Sequence, residues 1–323
     1  MICSKSWQGR FVSGRGTALM LIGVSLLMWL VGIFFDAPVN EFSVFGLRIG
    51  NVMSRCITFA CFGLAVAMMS SWYVFERRIH WFLPFAFCLP SLSLFVHGSV
   101  GYSFSLLLFL LVIHRIFSCK HGEDCRYGLF SAFAIFGLAT MLFPQFVLLL
   151  PVFVFYILST ALAGRRELFS ILLGLLTPYW FLFGIDYIFP NVVEQSNFFI
   201  APFVYIASAT LEMSSLVNVL FVGVGLLVLL PFVVVFSNSA IPGKKLLRKR
   251  LQFFALLNLY LMTLSLFYSR DSILYYIWSL PSLAVMLTYI FSLNITRFSK
   301  YYFILINIIW LAIPVFSLWL KQL

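Results

Sequence analysis

The chain has 323 residues, of which 63% are hydrophobic and only 10% are charged. A water-soluble domain is about a quarter charged and just under half apolar, so this composition excludes a soluble globular protein. The net charge of +11 does not indicate nucleic acid, because basic residues of membrane proteins collect in their cytoplasmic loops. We therefore expect the lipid bilayer as the surroundings of this chain and exclude nucleic acid as a partner.

The first apolar run, Thr17–Phe35, follows a leader that carries Lys5, Arg10 and Arg15. A basic leader before an apolar stretch is the layout of a secretory signal. This run is long enough to cross a bilayer and lacks a small-residue cleavage site, so the sequence predicts an uncleaved signal-anchor helix.

Further apolar runs follow along the chain, each bounded by charge, glycine or proline. About 20 helical residues, rising 1.5 Å each, cross the hydrocarbon core of a bilayer. The pattern predicts one integral membrane domain over residues 1–323, an all-α, polytopic bundle of about eleven transmembrane helices. The predicted spans are 17–35, 56–74, 81–97, 101–117, 128–143, 146–163, 168–188, 214–236, 251–269, 273–293 and 301–320.

The segment 198–211 is also apolar, but it is too short to cross a bilayer unaided. Counting it as a span would move the basic run Lys244–Arg250 to the outside, against the positive-inside rule. We therefore predict a re-entrant or interfacial helix on the outer face, and we interpret Lys244–Arg250 as a topology determinant.

The basic residues support this threading, with the N-terminus in the cytoplasm and the C-terminus outside. All Lys and Arg residues fall on the cytoplasmic side except Arg48, Arg55, Arg270 and Lys321. The outer side instead collects most of the acids, which are Asp36, Glu41, Asp186, Glu194, Glu212 and Asp271. This asymmetry is typical of a multi-pass membrane protein.

Asp36 and Glu41 lie just past the first predicted span, where a carboxylate can act as a general base or hold a divalent metal bridging a phosphate. We take them as candidate catalytic residues, and Arg48, Asp186 and Glu194 as candidate substrate-binding residues on the same side. The alternative is that acids simply populate outer loops. Nothing in the pattern indicates a particular cofactor.

Cys119 and Cys125 flank His121 in a predicted cytoplasmic loop. Five residues separate the two thiols, whereas zinc sites use two to four and repeat the pair, so no metal site is predicted and the segment is interpreted as a solvated loop. The six Cys are scattered and are interpreted as packing residues.

Polar groups within or near the predicted spans are expected to face other helices or a wet cavity, because hydrocarbon penalises an unpaired polar group. No predicted span carries Asp, Glu, Lys or Arg near its centre, which argues against a proton or ion pump. The polar residues concerned are His97, His114, Gln145, Asn258 and Asn307.

Three consecutive features are the most recognisable: Leu142-Phe143-Pro144-Gln145 opens an apolar helix, Arg165-Arg166-Glu167-Leu168 follows in the cytoplasm, and Leu173–Tyr179 lies in the next span. Over residues 81–190 the chain resembles a family of uncharacterised multi-pass integral membrane proteins from Bacteroidota. The resemblance implies a bacterial inner (cytoplasmic) membrane protein.

More distantly, the order of elements is similar to GT-C polyprenyl-linked glycosyltransferases. Those enzymes place a catalytic or metal-binding acid in the first outer loop, the position that Asp36 or Glu41 fills here. The resemblance implies a polyprenyl-phosphate lipid as a substrate. This chain departs from those enzymes in its short first outer loop and in having no soluble domain after the spans.

Three hypotheses remain open. The first is a cell-envelope biogenesis protein with a GT-C-like scaffold that handles a lipid-linked substrate at the outer leaflet. The second is a non-catalytic subunit that packs against partner membrane proteins. The third is a transporter or flippase for an amphipathic solute, with prolines breaking helices around a path. These prolines are Pro84, Pro90, Pro151, Pro178, Pro281 and Pro314.

Overall fold

A computed structural model describes residues 100–119, 123–160, 164–188, 195–207, 216–238, 245–268, 271–293 and 300–309, with short pieces at 23, 43–44, 47–48, 60–61, 63–64, 67–68 and 312. The predicted span 81–97, all of 17–35 except residue 23 and most of 56–74 lie outside the described residues.

Within these ranges the fold is helical, apart from one antiparallel pairing of the two-residue strands β1 (Ser43–Val44) and β2 (Leu47–Arg48). The described helices are α1 (Val100–Ser118), α2 (Glu123–Leu142), the 3-10 helix η1 (Pro144–Leu149), α3 (Leu150–Ser159), α4 (Arg165–Ile188), α5 (Gln195–Ala207), α6 (Leu216–Asn238), α7 (Lys245–Phe267), α8 (Ser272–Leu293) and α9 (Lys300–Ile309).

Five of the described helices, α1, α2, α4, α7 and α8, are long and apolar enough to cross a membrane. Each overlaps a span that the sequence predicts, so the helical class is confirmed and five candidate membrane-crossing helices are present among the described residues. Shorter apolar helices cover Pro144–Ser159, Phe221–Ser237 and Lys300–Ile309. The count of about eleven spans and the sides of the two termini stay predictions.

Proline sets the break between α2 and η1. Phe143 has an extended backbone with φ −134° and ψ 93°, and Pro144 opens η1 directly after it. The proline ring disfavours helical geometry in the preceding residue, so α2 ends before Phe143. Elsewhere α4 and α8 continue through Pro178 and Pro281, so these two prolines do not break their helices.

The helices α2 and α4 run in the same direction, with α3 returning between them. Arg126 Nε donates to Glu167 Oε1 at 3.2 Å near the start of both helices. Further along both helices the hydroxyls of Thr140 and Tyr179 are 2.8 Å apart. The chain therefore reverses direction twice between α2 and α4.

The central helix is α8, in which nearly every side chain is buried. Its Trp278 is enclosed by Phe146 at 4.6 Å, Tyr275 at 5.8 Å and Phe109 at 6.2 Å between ring centroids. The indole nitrogen of Trp278 donates to Ser105 Oγ at 3.4 Å. Aromatic packing of this kind buries a large apolar area and supplies the polar edge of the indole with a partner.

The bundle has two chemically different ends. At one, Lys249 and Arg250 of α7 contact the carbonyl oxygens of Ser159 and Phe117, the ends of α3 and α1. We call this the basic end. At the other, which we call the tyrosine end, tyrosine hydroxyls of α5 and α7 and the start of α8 come together.

Candidate functional site

The structure describes few of the site residues predicted from sequence. Asp36, Glu41 and Glu194 lie outside the described residues. Arg48 is described in its backbone only, as the last residue of β2, and Asp186 is half-buried in the last turn of α4. Their predicted roles therefore stay predictions.

A different acid organises the tyrosine end. After α7 ends at Phe267, the Tyr268 N–H donates to Leu264 O at 2.9 Å and the Asp271 N–H donates to Tyr268 O at 3.2 Å. This turn places Asp271 directly before α8. A carboxylate at a helix N-terminus interacts favourably with the free N–H groups and the helix dipole.

Asp271 is bound by a tyrosine from another helix. The Tyr205 hydroxyl of α5 donates to Asp271 Oδ2 at 2.7 Å and lies 2.8 Å from the Tyr275 hydroxyl. Because Tyr205 gives its single proton to the carboxylate, Tyr275 is the donor in the second bond. We call Tyr205, Asp271 and Tyr275 the Asp271 triad, which runs from the half-buried carboxylate to the fully buried Tyr275.

The helix α5 is docked by the same residues. The rings of Tyr205 and Tyr268 are stacked at 5.1 Å with an interplanar angle of 13°, and the Tyr268 hydroxyl donates to Ile206 O at 3.0 Å. Burial raises the pKa of Tyr205 above its usual value, and the hydrogen bond that it donates to Asp271 raises this pKa further. Tyr205 therefore remains a hydrogen-bond donor over the whole neutral range.

The helix η1 packs beside α5 and adds a polar atom to this end. Gln145 Oε1 is buried and has no hydrogen-bond partner in the described part of the chain. An unpaired buried amide oxygen is costly, so it is a ready acceptor for a ligand or a water. Gln145 Oε1 and the Asp271 carboxylate are two acceptor groups at this end of the bundle.

Among the described residues, no three His, Cys, Asp or Glu side chains are grouped so that they could hold a metal ion. Hydrogen bonding and ring stacking are therefore the chemistry that the described site offers. The geometry does not indicate a particular cofactor.

Sequence reasoning counted Asp271 among the outer acids but did not single it out. The spacing of Tyr268, Asp271 and Tyr275, three and then four residues apart, is a local signal for side chains that meet on one helical face. Tyr205 precedes Asp271 by 66 residues, so only the fold reveals that contact.

Three polar groups can be compared with their sequence interpretation. Cys125 is buried, so it does not belong to a solvated loop. Asn307 donates to Phe303 O of its own helix at 2.7 Å. Asn258 is fully buried at mid-helix, and neither of its amide atoms has a hydrogen-bond partner in the described residues.

Comparison of the chain with protein-family models, with curated proteins and with solved structures found no match. The resemblances to the Bacteroidota family and to the GT-C enzymes stay predictions.

Proposed function

We propose that the protein is a multi-pass protein of the bacterial inner membrane that handles a lipid-linked substrate of cell-envelope biogenesis at the outer leaflet. The observation that carries this proposal is the half-buried Asp271 carboxylate, which the Tyr205 hydroxyl binds at 2.7 Å. Ionisable groups in membrane proteins are expensive to bury and commonly mark functional sites.

The charge distribution supports the outer leaflet as the location of this site. The contacts of Arg126, Lys249 and Arg250 lie at the end of the bundle opposite to Asp271. By the positive-inside rule the basic end is cytoplasmic, so the tyrosine end faces outward. This orientation belongs to the eleven-span threading with a cytoplasmic N-terminus and an extracytoplasmic C-terminus.

The chemistry of the tyrosine end and its surroundings supports this substrate class. Acceptor groups at Asp271 and Gln145 suit sugar hydroxyls, and the stacked tyrosines add aromatic surface. The C-terminal half of α4 exposes Trp180 and Phe181, which offer apolar contact to a lipid chain. A polyprenyl-phosphate lipid combines these features, and Asp36 or Glu41 would supply the catalytic acid on a GT-C-like scaffold.

Binding of polyprenyl phosphate to the purified, detergent-solubilised chain tests the site, with native mass spectrometry as the readout. Asp271→Asn and Tyr205→Phe should each weaken binding by about tenfold or more, the effect of losing a charge-assisted hydrogen bond. Tyr127→Phe is the matched control, because Tyr127 is 74% exposed at the basic end. If both site variants bind as tightly as the wild type, the tyrosine end is not the binding site. If the wild type does not bind polyprenyl phosphate, the proposed function is wrong.

Catalysis is tested separately from binding. Asp36→Ala and Glu41→Ala, each made alone, should abolish turnover of a sugar-loaded polyprenyl-phosphate lipid without lowering membrane abundance. Unchanged turnover in both variants would show that the outer acids have only a topological role.

A second candidate function is a non-catalytic subunit of a membrane complex. It is favoured by α4, a 24-residue helix in which only Ile171 and Gly174 are buried among its described side chains. The remaining apolar surface suits either lipid or a partner helix. Purification in a mild detergent that yields a monomer without a stoichiometric partner would exclude this candidate. The transporter hypothesis has less support, because α4 and α8 continue through Pro178 and Pro281.

A further inference from the structure

Two cysteines meet at the basic end. Cys119 follows α1 directly and Cys125 lies in the first turn of α2. Cys119 Sγ lies 3.9 Å from the carbonyl oxygen of Cys125. Both are free thiols. Two thiol-bearing residues that are six positions apart in sequence are therefore in contact where α1 ends and α2 begins.

A glycine leaves the space that one of these sulfur atoms occupies. A Cβ atom built on Gly128 would lie 2.6 Å from Cys119 Sγ, which is closer than real carbon and sulfur atoms approach. Gly128 is one helical turn after Cys125, so both face the end of α1. The Cys119 thiol also donates to Arg115 O at 3.3 Å, which fixes its direction.

We propose that Cys119 and Cys125 are a thiol pair that closes reversibly into an intramolecular disulfide when a small-molecule disulfide is the oxidant. The half-buried Cys119 is the attacking residue and the buried Cys125 is the resolving residue. This oxidation is independent of the proposed handling of a lipid.

The chemistry balances in two exchanges. The Cys119 thiolate attacks one sulfur of the small disulfide, forms a mixed disulfide and releases one small thiol, which carries the proton. The Cys125 thiolate then attacks the Cys119 sulfur and releases the second small thiol. The protein loses two electrons and two protons, and the small disulfide is reduced to two thiols.

The surroundings of the pair slow its oxidation at neutral pH. Burial raises the pKa of the Cys119 thiol to about 12, and its contact with Cys125 adds to the effect. Thiolate is the reactive form, so oxidation is slow near pH 7 and accelerates by about tenfold per pH unit below the pKa. Tyr156 and Glu167 are further titratable groups that act electrostatically on this pair.

The test uses the full-length chain with Cys3, Cys56, Cys61 and Cys88 replaced by Ser, so that only the pair remains. This two-cysteine protein, in detergent at pH 9, is treated with oxidised glutathione, quenched with a maleimide and digested for mass spectrometry. Cys119→Ser and Cys125→Ser in the same background are the matched controls, and size-exclusion chromatography confirms that each variant is folded.

The expected product is a peptide cross-link between Cys119 and Cys125, formed without accumulation of glutathione adduct and reversed by dithiothreitol. The Cys125→Ser control should instead accumulate the adduct on Cys119. A persistent adduct on Cys119 beside a free Cys125 in the two-cysteine protein would overturn the proposal. The proposal would also be overturned if oxidised glutathione leaves both thiols free in the folded protein but reacts with them after the same sample is unfolded in dodecyl sulfate.

Discussion

Arg250 Nη2 donates to the carbonyl oxygen of Phe117 at 2.6 Å, and its guanidinium lies 5.0 Å from the centre of the Phe117 ring. This carbonyl is in the last turn of α1, where helical carbonyls lack partners within their own helix. A cation at a helix C-terminus is also favoured by the helix dipole. Lys249 contacts the carbonyl of Ser159 at the end of α3 in the same way. The basic run of α7 therefore joins three helices.

Replacing Arg250 by Met should lower the stability of the detergent-solubilised protein. The Phe117 carbonyl would lose its partner at a partly buried site, which costs about 1–3 kcal/mol. Thermal unfolding followed by tryptophan fluorescence measures this loss. Arg248→Met is the matched control, because the exposed Arg248 lies over the Phe236 ring at 5.3 Å and should contribute about 1 kcal/mol or less. Equal losses in the two variants would contradict the special role of Arg250.

Replacing Gly174 by Ala should destabilise the packing of α2 against α4. A Cβ atom at Gly174 would lie 2.5 Å from the carbonyl oxygen of Phe130, a backbone atom that cannot move alone. Overpacking of this kind costs about 1–3 kcal/mol. Gly184 of the same helix has no atom within 4 Å of an added Cβ, so Gly184→Ala should be neutral or stabilising. If Gly184→Ala unfolds at a lower temperature than Gly174→Ala, this account is contradicted.

The sequence predicted the bilayer, the helical architecture and the positions of the five longest described helices, because these depend on apolar runs about 20 residues long. The re-entrant or interfacial helix predicted at 198–211 overlaps α5, Gln195–Ala207. Those features are local in sequence. They need no knowledge of which helices become neighbours.

The candidate site was not predictable in the same way. Its central contact joins Tyr205 to Asp271 across two intervening helices, and hydropathy does not encode which helices pack together. The sequence also did not predict that Lys249 and Arg250 bind the carbonyl oxygens at the ends of α3 and α1. A basic run gives the same topology signal whether or not it makes such contacts. Gly174 gave no sign of its role either, since a contact with Phe130 O depends on the parallel arrangement of α2 and α4.

Replacing Tyr179 by Phe should slightly weaken the packing of α2 against α4. The hydroxyls of Tyr179 and Thr140 are 2.8 Å apart, and Thr140 also donates to Gly137 O within its helix. Hydrogen bonds between membrane helices contribute about 0.6 kcal/mol on average. A double-mutant cycle with Thr140→Val in thermal unfolding isolates the pair, and Tyr187→Phe is the control because Tyr187 is 83% exposed. A coupling energy of zero would show that the two hydroxyls do not bind each other.

Replacing Tyr205 by Phe should reduce stability most below about pH 10, the ordinary pKa of a tyrosine. Burial and the hydrogen bond donated to Asp271 raise the pKa of Tyr205 in the folded protein, so folding favours its neutral form. The stability that Tyr205 supplies is therefore fully present below about pH 10 and is lost as the pH rises towards the higher folded pKa. Thermal unfolding measured from about pH 8 to about pH 11 brackets the pKa of an unfolded tyrosine. The difference in stability between wild type and Tyr205→Phe should become smaller at the alkaline end of this range. A gap that widens there would mean that the Tyr205 hydroxyl ionises more readily in the folded protein, and the hydrogen bond to Asp271 would then have to be abandoned.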